Sequence, residues 1–205
     1  MAEQTPLLDQ LISALKLLPG VGQKTAQRMA FHLLKLDKDK ARALGTTIAE
    51  AVDKIRHCDR CRNYTEKQIC DICASTTRKT SQMCIVETPT DVVAIENGTS
   101  YNGTYFVLMG KLSPLDGIGP DQIGLDQLEH RLKSGDLKEI ILATSSTMEG
   151  EVTAHVIAEM AAKYELKTTR LAQGVPIGGE LEYLDLNTLS PVSYTHLTLP
   201  TIVSV

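Results

Sequence analysis

Cys58-Asp59-Arg60-Cys61 and Cys70-Asp71-Ile72-Cys73 decide how the rest of the chain is read. Their spacing is C-x2-C-x8-C-x2-C. Each short knuckle brings two sulfurs near one point, and two knuckles supply the tetrahedral four-sulfur shell that Zn²⁺ takes in closed structural sites. Four protein ligands leave no position open for water, so such a metal stabilises and does not catalyse. The segment between the knuckles is too polar and too short to hold a core, and the metal supplies its folding energy. The alternatives are free or disulfide-bonded cysteines, His57 as a substitute ligand, and an iron–sulfur cluster. The complete cysteine set makes His57 unnecessary. A fifth cysteine, Cys84, opens an apolar run and is expected to be a buried thiol.

On the N-terminal side of the knuckles the pattern is helical. Leu7, Leu8, Leu11, Ile12, Leu15 and Leu18 recur at helix spacing, and Pro19-Gly20 ends that element. Gly22 precedes a second helix, expected from Gln23 to about Leu36, with Ala26, Met29, Ala30, Leu33 and Leu34 inward. Lys24 and Arg28, four residues apart, fall on the opposite face. A third helix is expected from about Lys38 to His57, with Ala41, Leu44, Ile48, Ala51, Val52 and Ile55 inward.

The junction Leu18-Pro19-Gly20-Val21-Gly22 carries chemistry. Gly20 and Gly22 allow a tight turn and close approach of the backbone to another group. The amides at the start of the second helix then favour an anion. With Lys24 and Arg28 beside them, the arrangement suits a nucleic-acid phosphate and reads no base sequence. The bland alternative is a helix–loop–helix with a solvated basic face. Gly22-Gln23-Lys24-Thr25 is not a nucleotide-binding loop, because Gln23 separates glycine from lysine and a helix, not a strand, precedes it.

Charge divides the chain in the same place. Residues 1–80 hold 14 Lys and Arg against 9 Asp and Glu, a balance of +5. Residues 81–205 hold 7 against 16, a balance of −9, and the two make the net −4. The basic part attracts phosphate, and the acidic part suits protein partners or is simply a hydrated surface. Tryptophan is absent and phenylalanine occurs twice, so the core must be aliphatic. No apolar run is long enough to span a membrane, and the first residues carry no secretory signal pattern.

Beyond the knuckles the period changes. Residues 83–86, 105–109 and 139–143 read as buried strands, and residues 168–171 as a further one. Helices are expected over residues 90–97, 121–133 and 150–164. Alternating strands and helices predict an α/β fold with a mainly parallel sheet. Glu87 and Asp91 follow the first strand, and Glu149 and Glu151 follow the third. Acids at strand ends of a parallel sheet are where metals and ligands bind, although acids in a first helical turn also favour the helix dipole without any ligand.

These features together resemble the RecR family of bacterial recombination mediators, over residues 7–189. The resemblance rests on the Leu18–Gly22 hairpin with Lys24-Thr25-Ala26-Gln27-Arg28-Met29-Ala30, and on the four cysteines. It extends to Leu112-Ser113-Pro114-Leu115-Asp116-Gly117-Ile118-Gly119-Pro120 and Gly174-Val175-Pro176-Ile177-Gly178-Gly179-Glu180-Leu181-Glu182.

The resemblance implies a helix-hairpin-helix domain over residues 1–56, a C4 zinc finger over 57–80 and a Toprim domain over 81–176. A C-terminal segment over 177–189 follows. It implies one structural Zn²⁺ on Cys58, Cys61, Cys70 and Cys73, and sequence-independent DNA binding through Gly20, Gly22, Lys24 and Arg28. It also implies a homo-oligomer, a dimer or tetrameric ring-like clamp, acting in the bacterial cytoplasm at the nucleoid. With RecO and RecF it would load RecA onto single-stranded DNA coated by the single-strand-binding protein. Catalytic Toprim domains place a Glu on the first strand and an Asp-x-Asp after a later one. Glu87 fits the first position, but Ser145-Ser146-Thr147 stands at the second. Hydroxyls bring no charge to hold Mg²⁺, so no nuclease, primase or topoisomerase chemistry is expected. Glu87, Asp91 and Glu149 become candidates for contacting RecO. The competing readings are a Mg²⁺-dependent Toprim enzyme and a zinc-stabilised adaptor that binds only proteins. Residues 190–205 contain no Lys, Arg, Asp or Glu where the family continues into a basic stretch, and they read as non-native sequence.

Overall fold

The computed structural model describes residues 6–171. The chain divides into two compact units, Met1–Ile55 and Arg56–Val205.

Among the described residues the first unit holds three helices. Helix α1 spans Leu7–Leu15 and α2 spans Gln23–Lys35. They meet through Ile12, Ala26 and Ala30, which are buried, with Leu11, Leu15 and Val21 packed around them. The two alanines let the helix backbones approach closely. Helix α1 is shorter than its leucine period suggests. The amides of Leu17 and Leu18 turn back to the carbonyls of Ala14 and Leu15, tightening the last turn just before Pro19-Gly20.

Helix α3 spans Lys38–Lys54, and the Asp37 side chain caps it by accepting from the Asp39 amide at 2.9 Å. Its expected inward face is not covered within this unit. None of its residues is buried, and Leu44, Ile48, Val52 and Ile55 are 43–76% exposed. In α2 the burial stops at the alanines, leaving Met29 and Leu34 exposed. Helical periodicity identifies an apolar face but not what lies against it.

The second unit begins with a two-residue hairpin, β1 Arg56–His57 against β2 Tyr64–Thr65, so the third helix ends before His57. A one-turn helix, α4 Asp71–Ala74, follows. Then come β3 Lys79–Val86, α5 Pro89–Gly98, β4 Gly103–Val107, α6 Leu125–Leu132, β5 Glu139–Ala143, α7 Met148–Ala162 and β6 Lys167–Arg170. The four longer strands form one sheet in the order β4-β3-β5-β6, with every pair parallel. The α/β expectation is thereby met.

Period-two alternation in β3 divides the core between the two faces of the sheet. Met83 and Ile85 join Phe106, Ile140 and Leu142 against Leu125, Leu128 and Leu132 of α6 and Ala154, Ile157 and Ala161 of α7. Cys84 and Val86 join Tyr105 and Val107 against Val92 and Ile95 of α5. Cys84 is 2% exposed, as expected of a core thiol, and burial pushes its pKa up to about 12. The chain leaves β3 toward β4 on one side, while β5 pairs with β3 on the other. The carboxyl ends of β3 and β5 therefore flank a topological switch point, where parallel sheets open a crevice.

Candidate metal centre and nucleic-acid interface

The two cysteine knuckles are built from short-range hydrogen bonds. Asn63 returns its carbonyl to the Cys58 amide at 2.8 Å, and the Arg62 amide donates to the Cys58 carbonyl at 2.9 Å. This tight turn needs a left-handed residue, and Arg62 takes it with φ of 62°. Cys70 sits at the N-cap of α4, with its sulfur facing the Cys73 amide at 3.5 Å. The Cys70 amide donates to the Cys58 sulfur at 3.2 Å, joining the knuckles.

The four sulfurs all lie within 4.8 Å of one another, and none is in a disulfide. The Cys61 and Cys70 sulfurs are 3.5 Å apart. A disulfide needs about 2.05 Å, whereas tetrahedral Zn–S bonds of about 2.3 Å place sulfurs about 3.8 Å apart. The donor set therefore fits zinc. Hydrogen bonds from Cys61 and Cys73 hold the Cys70 thiol far below its usual range, while the same contacts push Cys61 up. A divalent metal replaces the thiol protons when it binds. His57 is not in the cluster; its ring stacks on Tyr64 and its Nδ1 meets the Arg62 carbonyl at 2.9 Å.

The finger is fastened to the sheet. The Val107 amide at the end of β4 donates to the Cys61 carbonyl at 2.9 Å. Next to it the Arg62 guanidinium donates to the carbonyls of Leu108 at 3.2 Å, Gln122 at 3.3 Å and Ile123. It also lies over the Phe106 ring, 6.0 Å from its centre. Gly124, at φ of 71°, makes this possible, because a Cβ there would collide with the Arg62 guanidinium. Ile72 of α4 packs on the Val92 side of the sheet. Sequence reasoning misses Arg62, since nothing in the spacing of one arginine after a cysteine marks a clamp.

In the first unit, Gly20 takes φ of 76° and the Val21 amide donates to the Leu18 carbonyl at 3.1 Å, closing the hairpin. Gly22 is the N-cap of α2 and offers no side chain to cap it. A Cβ at either glycine would meet nothing within 4 Å, so this backbone faces open space. Lys24 and Arg28 are exposed, and among the described residues neither has an ion-pair partner. The first turn of α2 contains no acid. The hairpin thus collects free amides and two uncommitted cations.

The switch point holds two of the three acids singled out from sequence. Glu87 Oε1 accepts from the Ser145 amide at 2.8 Å and from its hydroxyl at 2.9 Å. Ser145 in turn meets the Thr147 hydroxyl at 2.9 Å, so hydroxyls stand beside Glu87 where a catalytic Toprim domain has carboxylates. The Lys111 ammonium lies 2.9 Å from Thr147 Oγ1 and 3.3 Å from Glu149 Oε2. It is delivered by the loop after β4, where the Gly110 amide donates to the Glu87 carbonyl at 2.9 Å. The hydrogen bond from its own backbone amide and the nearby Lys111 hold the Glu149 carboxyl below its usual range. Asp91 does not join this network: it closes a capping box on α5, accepting from the Thr88 amide at 2.7 Å. The structure therefore brings Glu87 and Glu149 to one corner and uses Asp91 as a cap.

A helical hairpin with a cationic tip, a four-cysteine finger and an all-parallel sheet define a zinc-bearing protein with a surface suited to nucleic-acid phosphate. Known families match in that order. The RecR helix-hairpin-helix family matches residues 8–52, the RecR four-cysteine zinc finger family residues 55–75, the Toprim domain residues 81–172 and the RecR C-terminal family residues 174–190. The recombination protein RecR of Xanthomonas oryzae pv. oryzae strain MAFF 311018 is 56% identical over 184 residues, 90% of this chain and 93% of its own. RecR of Xylella fastidiosa strain Temecula1 is 53% identical over 186 residues, 91% and 94% of the two chains. The chain belongs to the RecR family. Its role is in recombination and repair, and its four cysteines hold a structural zinc. No helix among the described residues is long and apolar enough to cross a membrane. The expected C-terminal segment, residues 177–189, and the non-native reading of residues 190–205 lie outside the described residues.

Proposed function

We propose that the chain is a non-catalytic DNA-binding mediator that acts with RecO and RecF to load RecA onto single-stranded DNA coated by the single-strand-binding protein. The observation that carries this reading is the corner at Glu87. Its carboxylate is bonded by Ser145, and an ammonium from Lys111 stands between Thr147 and Glu149. A two-carboxylate Mg²⁺ site supplies the charge that phosphoryl chemistry requires. Here one carboxylate faces hydroxyls, and the local cation is a side chain. The corner supports a partner-binding surface built on Glu87 and Glu149, with Asp91 on α5 as a third acid, and RecO as the partner.

Gly20, Gly22, Lys24 and Arg28 form the DNA contact in this reading, holding phosphates without selecting sequence. The uncovered apolar face of α3 supports assembly: Leu44, Ile48 and Val52, left 46–76% exposed, suit a second copy of the chain, as a dimer or within a tetrameric ring-like clamp. The domain limits proposed are 1–56, 57–80 and 81–176.

The test is a Mg²⁺-dependent nicking, priming and relaxation assay on gapped and supercoiled DNA, with the wild-type chain and Glu87→Ala. No product from either is expected. Activity in the wild type that disappears in Glu87→Ala would make the protein a Toprim enzyme.

A further inference from the structure

A polar cavity of about 200 Å³ lies where the finger meets the sheet; the zinc ligand Cys73 is on its wall, and none of the residues of the Glu87 corner lines it. Arg60 enters it from the first knuckle and Arg131 from the last turn of α6, with Thr104, Ser134 and Asp136 on its walls. Arg60 spends one donor on the Cys73 carbonyl, at 3.2 Å. Arg131 Nε is shut off from solvent and has no hydrogen-bond partner. Among the described residues neither guanidinium is in an ion pair, not even with Asp136 on the same wall.

A buried donor without a partner costs about 1–3 kcal/mol, and a bound ion is one of the few things that account for such a group. The hydroxyls do not relieve it. Thr104 donates to the Gln82 carbonyl at 3.1 Å and Ser134 to the Arg131 carbonyl at 2.8 Å. What the cavity lacks is an acceptor with several oxygens and more negative charge than Asp136 alone provides. Two guanidiniums from different elements line this one cavity, and the guanidinium fork is the side-chain donor suited to a tetrahedral oxyanion.

We propose that this cavity binds a phosphate group, free or at the end of a nucleic acid, held between Arg60 and Arg131. The site is separate from the hairpin that carries Lys24 and Arg28. Because Arg60 belongs to the finger and Arg131 to the sheet layer, an occupied cavity ties the two together through the anion. Asp136 acts against binding and sets its strength.

The test uses the zinc-loaded full chain and inorganic phosphate, with thermal unfolding and ³¹P line broadening read against chloride at equal ionic strength. The wild type should show a saturable rise in Tm that chloride does not reproduce. Arg60→Gln and Arg131→Gln should each weaken it at least roughly tenfold, as expected when one arm of a charge-assisted clamp is removed. Asp136→Asn should strengthen it. Circular dichroism and zinc content confirm that each variant is folded. A folded Arg131→Gln or Arg60→Gln protein that binds phosphate as the wild type does would overturn the proposal. So would a wild type that responds to phosphate no more than to chloride, which would leave Asp136 as the sole counter-ion. Competition by a 5′-phosphorylated dinucleotide, compared with its 5′-hydroxyl form, assigns the phosphate to a nucleic-acid end; equal failure of both assigns it to the free anion.

Discussion

Arg62 Nη1 lies 3.2 Å from the carbonyl oxygen of Leu108, across 46 residues of sequence, and this contact fastens the zinc finger to the sheet. The same guanidinium satisfies carbonyls at Gln122 and Ile123, beyond any helix or strand ladder. Removing it leaves buried acceptors unpaired, at about 1–3 kcal/mol for each fully desolvated group. Arg62→Ala should therefore lower the stability of the zinc-loaded protein by roughly 2–4 kcal/mol in urea unfolding. Gly124→Ala should lower it as well, by the left-handed backbone and by displacing Arg62. Unfolding midpoints equal to the wild type for both variants would show that the clamp is ornamental.

The zinc site makes its own prediction. Purified protein should hold about one zinc per chain, and Cys58→Ala or Cys70→Ala should lose it, together with the fixed geometry of residues 56–75. Protons compete with the metal for thiolates, so zinc should leave as pH falls. Metal analysis after dialysis at graded pH measures this. Full zinc content in either alanine variant would remove that cysteine from the shell.

A pH-dependent element lies on the other face of the sheet. Arg78 pairs with Glu96 through both nitrogens, and the Tyr105 hydroxyl donates to Glu96 Oε1 at 2.6 Å. The Arg78 hydrogen bonds hold the Glu96 carboxyl below its usual range, and the Tyr105 bond assists. A carboxyl depressed in the folded state contributes stability that is present above its unfolded pKa and disappears as pH falls through its folded one. Glu96→Gln should cost about 1 kcal/mol near neutral pH, and the difference from wild type should close toward acid. A difference independent of pH would assign the loss to packing instead.

DNA binding should depend on the hairpin through charge alone. Lys24→Ala should weaken binding to any sequence and reduce the salt slope by about one unit. Arg28→Ala should act the same way. A slope unchanged in either variant would take that residue off the DNA.

Much of this architecture is legible in the residues themselves. Strand β5 falls where its apolar run predicts, because a buried parallel strand is a continuous apolar stretch bounded by polar turns. The knuckle spacing identifies the metal because four thiolates have few other uses. Helix α3 marks the limit of periodicity: Leu44, Ile48 and Val52 share a face, yet nothing within the unit covers it. Asp91 reads in the sequence as part of an acidic surface, but its carboxylate caps α5, and the three-residue spacing from Thr88 is the signal for that. Arg62 and Lys111 escape sequence reading for a different reason. Each acts on groups tens of residues away, and single cations leave no periodic trace.

The most direct test of a DNA-dependent mediator is RecA filament formation on gapped DNA coated by the single-strand-binding protein, with RecO and RecF present. The rate is compared between the wild-type chain and a Lys24→Ala, Arg28→Ala double variant whose zinc content and fold are intact. The wild type should accelerate loading and the double variant should not. Equal acceleration by both would contradict a mediator that acts through this hairpin.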